Sequence, residues 1–233
     1  MNVADLAPDS TDYPATVKTR LGTKRLPRIA TLGNRDHLDL RLLGFFCSAK
    51  CPGNLILDTY DLARAFRDAG IPVIGGFHSP MERECLDLLL RGKQPVVVCP
   101  ARSIQRMRVP PTWRPALEAG RLLVLSPFAE RYRSATAELA VRRNQFVAAL
   151  SETIFVVHAA AGSKTEQLCR ELLDDKRRLL AFDREENRNL LDLGATVGKV
   201  EQIVGMVATA TGRRAGRRQV ASESGGPRRQ ARL

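Results

Sequence analysis

Aromatic residues and long hydrophobic runs are both scarce in this sequence. Phe, Trp and Tyr together make up 5% of the chain, and no apolar run approaches the roughly 20 residues that a membrane-spanning helix needs. Residues 1–13 contain three aspartates and lack the basic start and apolar stretch of a signal peptide. The sequence therefore predicts a cytoplasmic protein without membrane association. It also offers few side chains for stacking on nucleobases, with Phe77 the main candidate.

The cysteines do not suggest a disulfide framework or a metal centre. Their number is odd and their spacing irregular, unlike the paired cysteines of secreted domains. The five are Cys47, Cys51, Cys85, Cys99 and Cys169. Cys47 and Cys51 could bind zinc only if two further ligands came close, and the candidates are Cys85, Cys99 and His78. Because free cysteine is usually a small buried apolar residue, we expect burial and predict neither a metal site nor a cofactor.

Positive charge exceeds negative charge by a wide margin and is concentrated at the carboxyl terminus. The 233 residues carry 37 Lys and Arg against 25 Asp and Glu, a net charge of +12. Residues 212–233 hold seven arginines and one acid, Glu223, and therefore half of that excess. This segment lacks apolar periodicity, so we expect it to be disordered. The remaining +6 on residues 1–211 still favours a polyanionic partner.

From about residue 28, short apolar runs alternate with amphipathic stretches of helical length. This alternation is typical of a parallel α/β sheet, and residues 95–99 have the continuous β-branched character of a strand buried on both faces. The predicted strands are residues 42–47, 71–74, 95–99, 122–125, 153–157 and 179–182. The predicted helices are residues 54–69, 79–91, 109–119, 135–150 and 163–175. We therefore predict an α/β protein with a Rossmann-like, doubly wound, mainly parallel sheet and helices on both faces.

Composition divides the chain into four segments. We expect a flexible leader over residues 1–26 and the Rossmann-like domain over residues 27–183. Residues 184–211 are weakly helical and form a carboxyl-terminal extension, and residues 212–233 are the disordered tail.

Three loops follow predicted strands and combine glycine with serine or lysine. They are residues 47–53, 75–79 and 160–163. In an open α/β sheet, ligands bind beyond the carboxyl ends of the strands. Two of the loops run into helices through capping boxes, Ser79 with Glu82 and Ser163 with Glu166, and a helix N-terminus attracts phosphate. The predicted phosphate contacts in and beside these loops are Ser48, Lys50, Gly75, Gly76, His78, Ser79, Gly162, Ser163 and Lys164.

The same loops also allow a purely structural interpretation. A capping serine beside a glycine ends strands in many α/β proteins that bind nothing there. Neither the dinucleotide motif G-x-G-x-x-G nor the P-loop motif is present, so ordinary nucleotide sites are not predicted. His78 and His158 each follow a strand and can either contact a ligand or serve as structural residues. We favour an anion site because three loops point to one edge.

Arg143 lies on the apolar face of a predicted helix. Leu139, Phe146 and Leu150 define the inward stripe of helix 135–150, and Arg143 is four residues after Leu139. A buried arginine needs a partner. That partner can be a carboxylate in a salt bridge. The aliphatic part of the arginine side chain can also extend far enough to place the guanidinium in solvent. Alternatively, the guanidinium can point at a ligand phosphate and form two hydrogen bonds. Both interpretations remain open.

The order of these strands, loops and the Arg143 helix resembles that of the DprA/Smf family of DNA-processing proteins. This family lies within the Rossmann-like superfamily that includes the Lonely Guy (LOG) proteins. The resemblance covers about residues 38–183. The motifs that carry it are Cys47-Ser48-Ala49-Lys50 at the family's Gly-Ser-Arg turn, residues 73–79 at its Ser-Gly-rich loop, Arg143-Asn144-Gln145 at its Arg-Asn-Arg, and Gly162-Ser163 at its Gly-Ser turn. Cys47, Gln145 and the second loop depart from the family pattern, so we expect a shortened, divergent relative.

The resemblance implies binding of single-stranded DNA and help in loading a recombinase during DNA uptake and recombination. It also implies homodimerisation, which is common in the family. The pocket residues that it carries over are Ser48, Lys50, Gly76, Ser79, Arg143, Asn144 and Ser163.

The runner-up interpretation is an enzyme. LOG proteins cleave the N-glycosidic bond of a nucleoside monophosphate with an arginine and a downstream Gly-Gly-x-Gly-Thr-x-x-Glu loop. By this resemblance Arg143 and Glu166 would be catalytic. Ala160, however, occupies the position of the second glycine in the Gly-Gly pair that begins this loop. A nucleotide-sensing module without catalysis is a third interpretation. Because the capping box already explains Glu166, binding without catalysis is the favoured prediction.

Overall fold

A single sheet organises the chain in the computed structural model, which describes residues 2–22 and 26–210. The nine strands in these ranges are β1 (Ala4–Leu6), β2 (Ile29–Gly33), β3 (Leu42–Phe46), β4 (Val73–Gly75), β5 (Val96–Val98), β6 (Leu122–Ser126), β7 (Ser151–Val156), β8 (Leu179–Phe182) and β9 (Thr196–Gly198). Their order across the sheet is β1-β2-β6-β5-β4-β3-β7-β8-β9. The seven strands from β6 to β9 in this order are mutually parallel, whereas β2 is antiparallel to both β6 and β1.

Helices cover both faces of the sheet. They are α1 (Ala15–Leu21), α2 (Ile56–Asp68), α3 (Pro80–Leu90), α4 (Arg114–Glu118), α5 (Ala137–Leu150), α6 (Lys164–Asp174), α7 (Arg188–Asp192) and α8 (residues 200–210). Buried side chains of α2, α3, α4 and α8 pack on one face. Those of α1, α5, α6 and α7 pack on the other. The predicted Rossmann-like, doubly wound α/β fold is confirmed.

The direction in which the chain winds reverses between β3 and β7. From β3 the chain steps outward through β4, β5 and β6, and α5 then returns it to β7 beside β3, from which it steps the other way through β8 and β9. A crevice forms at such a switch point because the loops after the two strands diverge. The fold therefore places the loops after β3 and β7 side by side at the carboxyl edge of the sheet.

The amino-terminal segment differs from the flexible leader that the sequence predicts. Residues of this segment form β1, which pairs with β2, and α1, whose Val17 is completely buried. Tyr13 is also buried, and its hydroxyl donates to Pro27 O at 2.8 Å. These apolar anchors are single and far apart, so they produce no periodicity from which an element could be predicted.

The carboxyl-terminal extension is likewise part of the sheet. β9 pairs with β8 beyond the expected domain end at residue 183, and α8 buries Ile203 and Val207 against the core. The Arg-rich tail of residues 212–233 lies outside the described residues. Within the described ranges, no helix is long and apolar enough to cross a membrane.

Candidate nucleic-acid interface

Hydrogen bonds join the loop after β3 to the loop after β7 at the switch point. The Ser48 amide donates to His158 O at 2.9 Å, and the Ser48 hydroxyl accepts from the Ala160 amide at 3.1 Å. Ser48 is buried, whereas Lys50, two residues later, is exposed. The loop is therefore anchored at its start and presents a cation at its tip.

A buried glutamate joins the loop after β3 to the loop after β4. Glu82, which is 5% exposed, accepts hydrogen bonds from the amides of Cys47 at 3.1 Å, His78 at 2.8 Å and Ser79 at 2.9 Å. The Ser79 hydroxyl accepts in turn from the Glu82 amide, which completes the predicted capping box. A carboxylate of the protein thus occupies amides that the sequence suggested for phosphate.

The loop after β7 has a similar internal carboxylate. The Ser163 hydroxyl accepts from the Glu166 amide, but the Glu166 carboxylate accepts from Gly162, one residue earlier than a capping box requires. Asn189 donates to the same carboxylate, and the hydrogen bonds from Asn189 and Gly162 lower the pKa of Glu166. The positive φ of Gly162, 70°, favours glycine there. These contacts account for Glu166 without a catalytic role.

Arg143 reaches from α5 to the loops after β4 and β5. The residue is 3% exposed. Its Nη1 donates to Cys99 O at 3.1 Å and its Nε donates to Asn144 Oδ1 at 2.7 Å. A Cβ atom on Gly76 would overlap the guanidinium. Glycine at this position therefore lets the charged group lie directly against the loop after β4.

Asn144 and Lys164 border a small cavity between α5 and α6. The cavity has a volume of about 110 Å³ and is also lined by Val141, Gln145, Gln167, Leu168 and Glu171. Lys164 is exposed, and its ammonium donates to Gln167 Oε1 at 3.4 Å. This cavity continues the series of polar groups from Arg143 toward the start of α6.

The remaining predicted residues have different surroundings. Gly75 is buried at the end of β4, where its carbonyl accepts from the Cys99 amide at 2.9 Å. The His78 side chain is exposed, whereas His158 is half-buried with Nδ1 3.3 Å from Asn187 Oδ1. Phe77 is buried against Phe45, with ring centroids 6.4 Å apart. The expectation that Phe77 could stack on a base is therefore wrong, because its ring belongs to the core.

An aromatic and arginine cluster after β6 was missed by sequence reasoning. We define the Tyr132 cluster as Phe128, Arg131, Tyr132 and Arg142. The Arg131 guanidinium lies 4.9 Å from the Tyr132 ring centroid, and that of Arg142 lies 5.7 Å from the Phe128 centroid. Hydrogen bonds from Arg131 and Arg142 lower the pKa of the Tyr132 phenol. The available signal was an Arg-Tyr-Arg triplet, residues 131–133, in the loop that follows the predicted strand 122–125.

The Tyr132 cluster lies at the same edge of the sheet as Arg143. Tyr132 O accepts from the Ser103 amide at 2.7 Å, which joins this loop to the one after β5. Arg142 directly precedes Arg143 in α5. Among residues 2–22 and 26–210, no three His, Cys, Asp or Glu side chains are placed to hold a metal ion. The edge is therefore basic and partly aromatic along several neighbouring strands.

Comparisons with known proteins agree with this architecture. The structure matches DNA processing protein A from Streptococcus pneumoniae at a TM-score of 0.70 and 13% identity, covering 85% of this chain and 72% of that one. It also matches DNA processing protein A from Helicobacter pylori, described for its single-stranded DNA binding mode, at a TM-score of 0.71 and 15% identity, covering 91% and 98%. No curated protein matches the sequence.

The family comparison covers most of the chain. The sequence profile described as DNA recombination-mediator protein A matches residues 5–203, a range that includes strands β2 to β9 in full. The matched range contains the loops after β3, β4 and β7 as well as Arg143. This chain therefore belongs to the DNA recombination-mediator protein A family.

Proposed function

We propose that this protein binds the phosphate backbone of single-stranded DNA along the carboxyl edge of its sheet, and that it acts in DNA recombination or uptake. Family membership and the fold shared with the Helicobacter pylori protein, which binds single-stranded DNA, support this assignment. By family resemblance, the protein would act in the cytoplasm as a homodimer that passes the bound strand to a recombinase.

The geometry of Arg143 is the observation that carries the proposal. Two hydrogen bonds, to Cys99 O and Asn144 Oδ1, fix the guanidinium through Nη1 and Nε. Within the described residues, Nη2 forms no hydrogen bond. An arginine held in one orientation loses little conformational freedom when it binds a phosphate. Arg143 is thus a preorganised donor whose guanidinium lies directly against Gly76 in the loop after β4.

Side-chain cations must supply most of the phosphate contacts. Glu82 and Glu166 already occupy the amides of Cys47, His78, Ser79 and Gly162. The exposed ammonium groups of Lys50 and Lys164 and the arginines of the Tyr132 cluster are further donors at this edge. Binding that depends on cations releases counterions from the nucleic acid, so its affinity falls steeply with salt.

Fluorescence titration of a labelled oligonucleotide by the full chain tests this proposal. We expect binding at low salt that weakens as salt rises, because each phosphate contact to a single strand contributes about −0.7 to the slope of log K against log salt concentration. Changing Lys50 and Lys164 together to alanine should weaken binding and reduce the slope by about 1.4, the sum of two such contacts.

Lys93→Ala is the matched control. Lys93 is exposed before β5, at the opposite edge of the sheet, so its loss changes the net charge without touching the proposed interface. All variants retain the Arg-rich tail, whose contribution to binding is therefore common to every measurement. If Lys93→Ala weakens binding as much, per charge removed, as the Lys50 and Lys164 changes, the proposed interface is wrong.

A further inference from the structure

Two neighbouring loops hold most of the positive charge that lies outside the carboxyl-terminal tail. We define the loop pair as residues 100–109, which follow β5, and residues 127–136, which follow β6. These segments contain five arginines and one acid, Glu130, and therefore carry +4 of the +6 on residues 1–211. The arginines are Arg102, Arg106, Arg108, Arg131 and Arg133. Such a concentration of one sign of charge favours a polyanionic ligand.

Buried polar contacts join the two loops to each other. The hydroxyl of Ser126, which is fully buried, donates to Arg102 O at 2.8 Å and accepts from the Phe128 amide at 3.1 Å. The Ser103 amide donates to Tyr132 O at 2.7 Å. Phe128 also belongs to a small buried apolar cluster that is separate from the two main ones. The loop pair is therefore a single surface that presents its arginines together.

Arg106 has an unfavourable backbone conformation within this surface. Its φ is 60°, in the left-handed region that favours glycine. Its side chain is exposed and forms an ion pair with Glu130, with Nε 3.0 Å from Oε1. A surface ion pair contributes little stability, and residues held in sparsely populated backbone regions cluster at functional sites. A ligand therefore explains an arginine at this position better than the stability of the loop does.

Three other arginines of the loop pair have no carboxylate partner. Arg108 and Arg133 are exposed and Arg102 is half-buried, and none of them forms an ion pair with a residue in the described ranges. A guanidinium that has no internal carboxylate can form two hydrogen bonds to a phosphate without first breaking an ion pair. These side chains are therefore available to an external anion.

The loop pair lies at the same edge of the sheet as the proposed interface but well away from Lys164. Four inter-strand steps separate β6 from β7, and Lys164 begins the helix that follows β7. At about 4.8 Å for each step, the distance across the sheet is about 19 Å. Arg143 contacts the loops after β4 and β5 and therefore lies between these two ends. Since a stacked strand advances about 3.4 Å for each nucleotide, about six nucleotides connect them.

We propose that the loop pair is a second phosphate-binding region for the same DNA strand, so that the protein selects strands of about six or more nucleotides over free nucleotides. This inference rests on the proposed function and extends its site to the loops after β5 and β6. One strand contacts Lys50 and Lys164 at one end, Arg143 in the middle and the loop pair at the other end. A strand too short to span the sheet gains the contacts of one end only, because contacts add within one complex only when the ligand reaches both.

Titrations with thymidine oligonucleotides of two lengths test this proposal. Arg108→Ala combined with Arg133→Ala, made in the full chain, removes two exposed cations of the loop pair. For a twelve-nucleotide strand we expect weaker binding and a salt slope smaller by about 1.4, the sum of two phosphate contacts. For a four-nucleotide strand Kd should change by at most about twofold, because the end at Lys50 and Lys164 is still available.

Arg91→Ala combined with Lys93→Ala is the matched control. Both residues are exposed and precede β5 at the opposite edge of the sheet. The control removes the same charge as the loop-pair variant, and every protein keeps the Arg-rich tail. It should leave the salt slope for the twelve-nucleotide strand close to that of wild type.

Several results would overturn the extended site. It is wrong if the loop-pair variant binds the twelve-nucleotide strand like wild type, if the control weakens binding equally, or if the loop-pair variant loses as much affinity for four nucleotides as for twelve. It is also wrong if the variant binds one twelve-nucleotide strand fewer than wild type, since the loop pair would then hold a separate strand. Failure of wild type to bind either strand at low salt would instead overturn the proposed function, and this extension with it.

Discussion

The Arg143 guanidinium occupies the space that a side chain on Gly76 would need. The two residues are far apart in sequence, and neither by itself identifies a site. Together they explain why a charged side chain can lie buried beside the loop after β4, where its Nη1 also bonds to Cys99 O. The pair therefore links a glycine in a strand-end loop to the orientation of the proposed phosphate donor.

Changing Gly76 to alanine should displace Arg143 and weaken DNA binding. A hydrogen bond to a charged group contributes about 1.5–3 kcal/mol, so we expect Kd for a labelled oligonucleotide to rise roughly ten- to a hundredfold. The measurement is made well below the melting temperature, because overpacking also costs about 1–3 kcal/mol of stability. Gly205→Ala in α8 is the matched control, since a Cβ there meets no atom within 4 Å.

A double-mutant cycle shows whether the effect passes through Arg143. If it does, Gly76→Ala should add almost nothing to the loss already caused by Arg143→Ala, because neighbouring residues in one interaction are not additive. Fully additive losses of binding free energy would mean that Gly76 acts on binding independently of Arg143. The close packing of the two residues would then have no role in DNA recognition.

Removing the Glu82 carboxylate should destabilise the fold more than removing that of Glu166. Glu82→Ala leaves three amides from two loops without their acceptor, at a site that is nearly inaccessible to water. Each buried unsatisfied group costs about 1–3 kcal/mol, so we expect the free energy of unfolding to fall by at least about 3 kcal/mol. Glu166→Ala removes the acceptor of the Gly162 amide and of the Asn189 side chain at a more exposed site, where water can replace it, and should cost about 1 kcal/mol. Urea unfolding of both variants compares them.

Equal losses of unfolding free energy in Glu82→Ala and Glu166→Ala would contradict this account of Glu82. That result would mean that the amides of Cys47, His78 and Ser79 find water or one another once the carboxylate is gone. Serine at position 79 offers an internal check, since Ser79→Ala removes the cap but keeps the carboxylate and should cost about 0.5–2 kcal/mol.

Local sequence signals predicted the central strands and the larger helices. Residues 95–99 read as a strand buried on both faces, and β5 lies within them. Ser79, Pro80 and Glu82 marked the start of α3, which the capping box confirms. By contrast, β1 and β9 have three residues each and depend on pairing with a neighbouring strand. β5 is equally short, but all three of its residues are buried, whereas β1 and β9 have one buried residue each and carry too little apolar pattern to be recognised before the sheet is known.

The site was predictable only as far as strand ends and helix starts define it. The parallel sheet brings the loops after β3, β4 and β7 to one edge, as expected for parallel strands. The bond from the Cys47 amide to Glu82 was not predictable, because it joins residues of two elements that meet only in the fold. The same holds for the contact of Arg142 with Phe128, which needs the loop after β6 to fold back on α5.

The stability that Glu166 contributes should depend on pH. Hydrogen bonds from Asn189 and the Gly162 amide place its folded pKa below the usual value of 4.5. A carboxyl group with a depressed folded pKa stabilises the native state above its unfolded pKa, and this contribution is lost as pH falls through the folded value. The unfolding free energies of wild type and Glu166→Gln should therefore differ by a constant amount above about pH 5.5 and converge as pH falls through the folded pKa.

Denaturant titrations at several pH values check this window. Glu171→Gln on the same helix is the matched control, since the Glu171 carboxylate accepts from the Gln167 side chain and takes no part in the contacts to Asn189 and Gly162. The difference between this control and wild type should vary less across the same pH range. A Glu166 difference that grows as pH falls would have the wrong sign for a depressed pKa.

Tyr132 should provide a base-stacking surface beside the phosphate donors. Its ring is half-exposed, contacts the Arg131 guanidinium and lies at 71° to the buried Phe128 ring. Stacking of a base on an aromatic side chain contributes about 1–3 kcal/mol in alanine substitutions and tolerates any base. Tyr132→Ala should therefore weaken binding of single-stranded DNA by that amount, whatever the sequence of the oligonucleotide.

Tyr132→Phe separates stacking from the hydroxyl. Phenylalanine keeps the ring but loses the hydrogen bonds from Arg131 and Arg142 that lower the tyrosine pKa. If the ring stacks, the phenylalanine variant should bind within about twofold of wild type, and the salt slope should be the same in all three proteins because no cation is removed. An equal loss in the alanine and phenylalanine variants would show that the hydroxyl positions the arginines and that no base stacks on the ring.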